Sequence, residues 1–176
     1  MFEVNYFGAV ATTKAFLPLL RAHKGRIINV SSVAGLLATP LFGAYAASKY
    51  ALEGLSDSLR KELRPLGVAV VLVNPAVVKT KIIGKIKSGI QATAWDAQWL
   101  ALYGEAQAKL DKNFQRSEDM GDTTVVTDEA IVDAVVNSRP KARYFVANAL
   151  GIPAVVLATL ARVVPTYLLD WITLNL

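Results

Sequence analysis

The sequence predicts an α/β fold built on a parallel sheet, and three observations carry that prediction. Arg26 to Val30 (RIINV) is a short β-branched run bounded by Gly25 and Ser31. A helical pattern follows over residues 44–66, with Leu52, Leu55, Leu59 and Leu63 on one stripe, and Pro65-Leu66-Gly67 closes it. A second apolar run, VAVVLV at 68–73, comes next. A strand, a long helix and a second strand form a crossover whose strands are parallel, and buried parallel strands read as short continuous apolar runs.

The other elements fall in place around this unit. Phe2, Tyr6, Phe7, Val10, Phe16, Leu17 and Leu20 recur at helical spacing, so a helix is expected over 2–20, with Gly25 as its left-handed stop. His23 in the last turn reads as a capping or surface residue. The segment 32–43 holds Gly35, Pro40 and Gly43 and reads as a loop. Trp95, Trp99, Leu102, Tyr103, Ala106, Leu110 and Phe114 form a further helical stripe, read either as core or as the wall of a ligand crevice. Residues 117–124 read as a polar loop, and Thr127 as the cap of a helix running to about Ser138. Residues 142–146 (ARYFV) are a third strand candidate. Residues 144–161 carry no acidic or basic side chain but are interrupted by Asn148, Gly151 and Pro153. They read as a helix closing a pocket, as an interfacial membrane segment or as a span, being at the lower edge of spanning length. Domain organisation follows as 1–146 for the α/β unit and 147–176 for an apolar helical tail.

Composition narrows the function. A chain of 176 residues with 53% hydrophobic and 19% charged residues suits one domain with a sizeable core. There is no cysteine, and His23 is the single histidine, which excludes disulfide frameworks, thiolate metal sites and multi-histidine sites; no metal is expected. A net charge of +5, with no long basic block interleaved with aromatics, gives no sign of nucleic-acid binding. Lys79, Lys81, Lys85 and Lys87 follow the second strand with no acid among them. They read as a solvated loop, with an anionic cofactor or a membrane surface as the sharper alternatives. No charged segment followed by an apolar stretch marks a secretory signal, and the pattern begins as though entered partway through a domain.

The chemistry concentrates in residues 31–49. Tyr45 and Lys49 are one helical turn apart, which puts phenol and ammonium on one face. Ser32 precedes Tyr45 by thirteen residues. Bringing a phenol's ionisation from about pH 10 to near neutrality takes about 4 kcal/mol. A unit cation about 5 Å away supplies about 3 kcal/mol of that at an effective dielectric of about 20. A Tyr–Lys pair on a helix is therefore a plausible acid/base device. A buried tyrosine beside a snorkelling lysine is the plainer reading of the same pair.

With these residues placed, the chain resembles the short-chain dehydrogenase/reductase family over nearly all of residues 1–146. The resemblance rests on an ordered set: Asn5 on a helix, NVSS at 29–32, YAASK at 45–49 and NPAVVKT at 74–80. Retinol, hydroxysteroid and 3-hydroxybutyrate dehydrogenases are the members it is most similar to. The resemblance implies a Rossmann-like sheet with helices on both faces, present as its C-terminal half, and an NAD or NADP cofactor. It implies that Tyr45 exchanges a proton with the substrate oxygen, that Lys49 lowers the tyrosine's pKa and binds the nicotinamide ribose, and that Ser32 orients the substrate oxygen. Asn5 would hold a helix kink and a water behind Lys49. Pro75, Ala76, Val78 and Thr80 would hold the nicotinamide carboxamide, and a helix near 92–116 would cover the substrate with Trp95 and Trp99. A small, lipophilic alcohol or ketone substrate and a homodimer or homotetramer are implied in the same way. The expected location is intracellular, cytoplasmic or peripherally attached to a membrane through the tail.

Two departures from the family pattern stand out. Pro75-Ala76 replaces the usual Pro-Gly, adding a Cβ beside the cofactor. No glycine-rich fingerprint precedes Asn5, so the first strand is expected to have an unpaired edge and the chain alone to bind dinucleotide weakly. A non-catalytic Rossmann-like binding or membrane-associating module is the alternative to an enzyme.

Overall fold

The structure, a computed structural model, describes residues 1–82, 84, 85, 88 and 96–175. Trp95 and Lys87 lie outside the described residues.

The main sheet consists of β1 (Arg26–Val30), β2 (Ala69–Pro75) and β3 (Arg143–Val146), in the order β1-β2-β3 among the described residues. All pairs are parallel, with Ile27 beside Val70, Ile28 beside Val71 and Val73 beside Tyr144. Strand residues alternate between faces, so the register sorts the sheet into two surfaces. Ile28, Val71, Val73, Tyr144 and Val146 pack on one side against Ala130, Ile131 and Ala134 of the helix at Val125–Val136. Ile27, Val68 and Val70 pack on the other against Leu17 and Leu20 of α1 (Gly8–Ala22) and Leu59 and Leu63 of α2 (Gly43–Leu63). Helices therefore cover both faces of a parallel sheet, as the sequence predicts.

Second-strand pairing extends beyond the apolar run. Asn74 and Pro75 pair with Phe145 and Val146, so the strand ends two residues later than hydrophobicity alone indicates. The first helix opens with a π turn over Glu3–Phe7, whose register is set by Gly8 N–H donating to Glu3 O. Its left-handed stop is Lys24 at φ 49°, not Gly25. Gly25 follows it beside Leu20, whose Cδ2 would lie 2.8 Å from a Cβ at position 25.

Three further expectations are corrected. The helix after the second strand, α3 (Ala97–Met120), runs through half of the expected polar loop. The next helix, α4 (Val125–Val136), starts before Thr127, whose Oγ1 is buried without a partner rather than capping. Thr124 O takes the amides of Thr127 and Asp128 in that first turn. Beyond β3 the apolar stretch is not one helix. Ala147, Leu150 and Gly151 all have positive φ and fold the chain into a hairpin, β4 (Asn148–Ala149) and β5 (Ile152–Pro153). Helices α5 (Ala154–Val163) and α6 (Thr166–Asn175) follow. Ala154, Leu157 and Ala158 are buried, and α5 packs on β3 and reaches the turn after β1, so this part of the expected tail is built into the sheet. No helix among the described residues is long and apolar enough to cross a membrane.

Candidate active site

The first strand delivers the site's hydroxyl. Ser31 N–H donates to Val73 O at 2.8 Å, and the chain then leaves the sheet. Ser32 is extended and opens a 3-10 turn over Val33–Gly35, its Oγ accepting from Ala34 N–H at 3.1 Å. The same hydroxyl donates to Pro75 O at 3.4 Å, so Ser32 stands between its own turn and the end of β2. Gly35 closes this turn against α2. A Cβ at Gly35 would lie 2.9 Å from Glu53 Cγ and 3.1 Å from the Lys49 carbonyl carbon.

The long helix delivers the other two groups. Tyr45 and Lys49 are one turn apart on α2, and Lys49 Nζ is 5.8 Å from the Tyr45 ring centroid. The ammonium donates to Val30 O at 2.9 Å, which ties it to the end of β1. Burial lowers the Lys49 pKa from its ordinary value, and the Glu53 carboxylate opposes that shift. Asn5 reaches the same helix from the π turn: its Nδ2 donates to Ser48 Oγ at 3.0 Å, and Ser48 Oγ donates to Tyr45 O at 2.7 Å. Asn5 thus braces the backbone of the tyrosine.

Beneath these groups lies a polar layer that the leucine stripe does not announce. The buried face of α2 includes Ser48, Glu53 and Ser56 as well as Leu52 and Leu63. Asn29 Nδ2 donates to Ser56 Oγ at 2.9 Å. Asn74, fully buried, donates through Nδ2 to Glu53 Oε1 at 2.6 Å and to Ser32 O at 3.3 Å. Arg143 Nη2 lies 3.1 Å from Glu53 Oε2 and 2.7 Å from Asp57 Oδ1. The signal for this layer is an asparagine at an inward position of each apolar strand, since a buried amide requires partners. Ser31 Oγ and Asn74 Oδ1 are buried without partners.

The segment after Pro75 is held by backbone bonds. Ala76 N–H donates to Val146 O at 2.9 Å and Val77 N–H to Asn148 O at 3.1 Å. Val78 bridges to Asp122, and Thr80 Oγ1 accepts from Ile82 N–H at 3.4 Å. From α3, Phe114 meets Phe42 at 5.7 Å, and Phe42 meets the Tyr45 ring edge-on at 6.0 Å. Trp99 stacks on Tyr103 at 5.3 Å, fifteen residues and roughly 22 Å up the helix from Phe114. Phe42 and, through it, Phe114 are thus joined to the Tyr45 ring. The depressions lined by Val125, Asp128 and Val132 and by Pro18, Arg21 and Leu66 lie away from this cluster.

Ser32 and Lys49 thus converge at the carboxyl ends of parallel strands, where open α/β sheets take ligands, and Tyr45 stands one turn from Lys49. The sequence pattern described as "short chain dehydrogenase" matches residues 1–91. The chain belongs to that family.

Among curated relatives, an NADPH-dependent 3-dehydrocapnine reductase of Ornithobacterium rhinotracheale is 41% identical over 151 residues, covering 83% of this chain and 52% of its own length. The human 11-beta-hydroxysteroid dehydrogenase type 2 is 37% identical over 158 residues, covering 85% of this chain and 39% of its own. The chain of this short-chain dehydrogenase family member therefore spans about half, or less, of the length of these relatives. Among solved structures, a short-chain dehydrogenase from Streptomyces avermitilis superimposes with a TM-score of 0.68 at 26% identity, over 99% of this chain and 61% of that one.

Proposed function

We propose that this chain carries the proton-handling part of an NAD(P)-dependent oxidoreductase that moves a hydride between the nicotinamide and a lipophilic secondary alcohol or ketone. The observation that carries the reading is the Tyr45–Lys49 pair, with the ammonium fixed to Val30 O and 5.8 Å from the phenol ring. The relative named as an NADPH-dependent reductase supports the cofactor class, and the relative named for hydroxysteroids supports a lipophilic substrate.

The residues present fit a dinucleotide. An ammonium, a hydroxyl and a backbone-held loop lie at strand ends, and the nearby Lys79 and Lys81 are exposed cations suited to an anionic ligand. Asp122, the acid beside the loop, already accepts two bonds from Asn148. When bound, the nicotinamide accepts or supplies the hydride. Lys49 would hold its ribose, and Pro75, Ala76, Val78 and Thr80 would hold its carboxamide end.

Each protein group then has a task. In the oxidative direction Tyr45 as phenolate takes the proton of the alcohol oxygen; in the reductive direction the phenol returns it to the carbonyl oxygen. Lys49 places an ammonium one helical turn from the phenol. Ser32 Oγ donates to the same substrate oxygen. Asn5 keeps the Tyr45 backbone in place through Ser48. Trp99 would contribute to the substrate cover, and Phe42 and Phe114 back the phenol. The reading includes an intracellular protein that assembles as a homodimer or homotetramer. Tyr167 and Trp171, both exposed on α6, suit peripheral membrane contact.

The test is steady-state turnover of the full-length protein with secondary alcohols of increasing apolar size and each oxidised cofactor, followed by nicotinamide absorbance and ketone analysis. Reduced cofactor and ketone are expected in equal amounts, and Ser32→Ala is expected to lower kcat/KM about a hundredfold. Bound dinucleotide with no turnover of any alcohol or ketone contradicts the proposal.

A further inference from the structure

We propose that Asp122 is a positioning residue for the loop at Val77–Thr80, and through that loop for the nicotinamide end of a bound dinucleotide. The proposal rests on the reading of residues 75–80 given above.

Three chain segments meet at this residue. Asp122 N–H donates to Val77 O at 3.2 Å, and Lys79 N–H donates to Asp122 O at 2.8 Å, so the residue pairs with the loop as one rung of a parallel ladder. Its carboxylate binds the hairpin. Oδ2 accepts from Asn148 N–H at 2.7 Å and from Asn148 Nδ2 at 2.9 Å. Asn148 O in turn accepts from Val77 N–H at 3.1 Å, which closes a ring of bonds through loop, Asp122 and hairpin. One helical end is attached as well, since Lys79 Nζ donates to Asp119 O at 3.1 Å.

The carboxylate is the member of this ring that a substitution can remove without touching backbone. Its loss leaves the Asn148 amide and side chain without their acceptor and so loosens Asn148, whose carbonyl holds Val77 of the loop. Both bonds go to a single oxygen, so an asparagine at 122 can keep them through its carbonyl, whereas an alanine cannot. The effect runs through hydrogen bonds, not through charge. It also acts only on the nicotinamide end: the loop follows β2, and the adenosine half of a dinucleotide does not depend on it.

That separation defines the experiment. The full-length protein is titrated calorimetrically with NAD, NADP and ADP-ribose, the last carrying no nicotinamide. Asp122→Ala is expected to weaken the preferred dinucleotide about tenfold and to leave ADP-ribose binding unchanged, while Asp122→Asn stays within about twofold of wild type. Unaltered dinucleotide affinity in Asp122→Ala overturns the proposal, as does an equal loss for ADP-ribose, which marks a general structural role. An Asp122→Asn as weak as the alanine variant also overturns it. If Asp122→Ala does not fold, Asn148→Ala removes one of the two carboxylate bonds and is expected to weaken the dinucleotide about threefold; no change contradicts the proposal. A wild-type protein that binds ADP-ribose as tightly as the dinucleotide overturns the reading of the loop itself, a result distinct from any failure of Asp122.

Discussion

Gly35 has no side chain, and Glu53 Cγ and the Lys49 backbone occupy the space where one would begin. The Ser32 turn can therefore lie directly on the helix of Tyr45 and Lys49. Gly35→Ala forces the turn away from α2 or displaces Glu53, an overpacking expected to cost about 1–3 kcal/mol, measured by denaturant unfolding. Stability equal to wild type would show that the turn has room to give. Single residues also show what sequence could and could not reveal. Ser32, Tyr45 and Lys49 were legible because their spacing survives translation into a strand end and a helix turn. Asp122 was not, because its partners Val77, Lys79 and Asn148 are far away in the chain. The left-handed residue at the end of the first helix is Lys24, one position before the glycine that a local rule selects.

At the scale of elements, α2 is the part on which the site depends. One stripe carries Tyr45, Lys49 and, a further turn on, Glu53; the Glu53 side chain is 6% exposed and ion-paired with Arg143. Removing one partner of a buried pair leaves an uncompensated charge. Arg143→Met is expected to destabilise the fold by about 3–5 kcal/mol, and Glu53→Gln added to it to restore part of that loss. Equal stability of Arg143→Met and wild type would mean that Glu53 is satisfied by Asn74 alone. Asp57, at the solvent end of this seam, behaves differently. Burial pushes its carboxyl up, but hydrogen bonds from Arg143 and Arg60 outweigh that and hold it below its ordinary value. A carboxyl depressed by folding contributes stability above its unfolded pKa and loses it as pH falls through the folded one. The stability gap between wild type and Asp57→Asn is therefore expected to be full at neutral pH and to narrow below about pH 4. A gap that stays constant in denaturant unfolding across this range contradicts the assignment. The leucine stripe announced α2 as a helix but not this seam, because Glu53 and Ser56 look like solvent-facing residues until Asn29, Asn74 and Arg143 are brought against them.

Over the whole molecule, the three parallel strands and the crossover helix were readable from three apolar runs and one long leucine stripe, and helices on both faces from the family resemblance. The C-terminal region was not. Its apolar composition suggested a single helix or a membrane segment, and positive φ at Ala147, Leu150 and Gly151 divided it into a hairpin and two helices. Composition records how much surface must be buried, while these turns decide against what. The outer edge of β1 pairs with no strand among the described residues. The assembled picture has a hydroxyl, a phenol and an ammonium at one end of a parallel sheet, braced from behind by Asn5 and from beneath by Glu53. Its central claim is that Tyr45 moves the proton. The most direct test is Tyr45→Phe in the full-length protein, with alcohol-dependent NAD(P) reduction and dinucleotide binding measured side by side. The variant is expected to bind dinucleotide as wild type does and to lose about 10²–10⁴-fold in kcat. Turnover near the wild-type rate would contradict the claim.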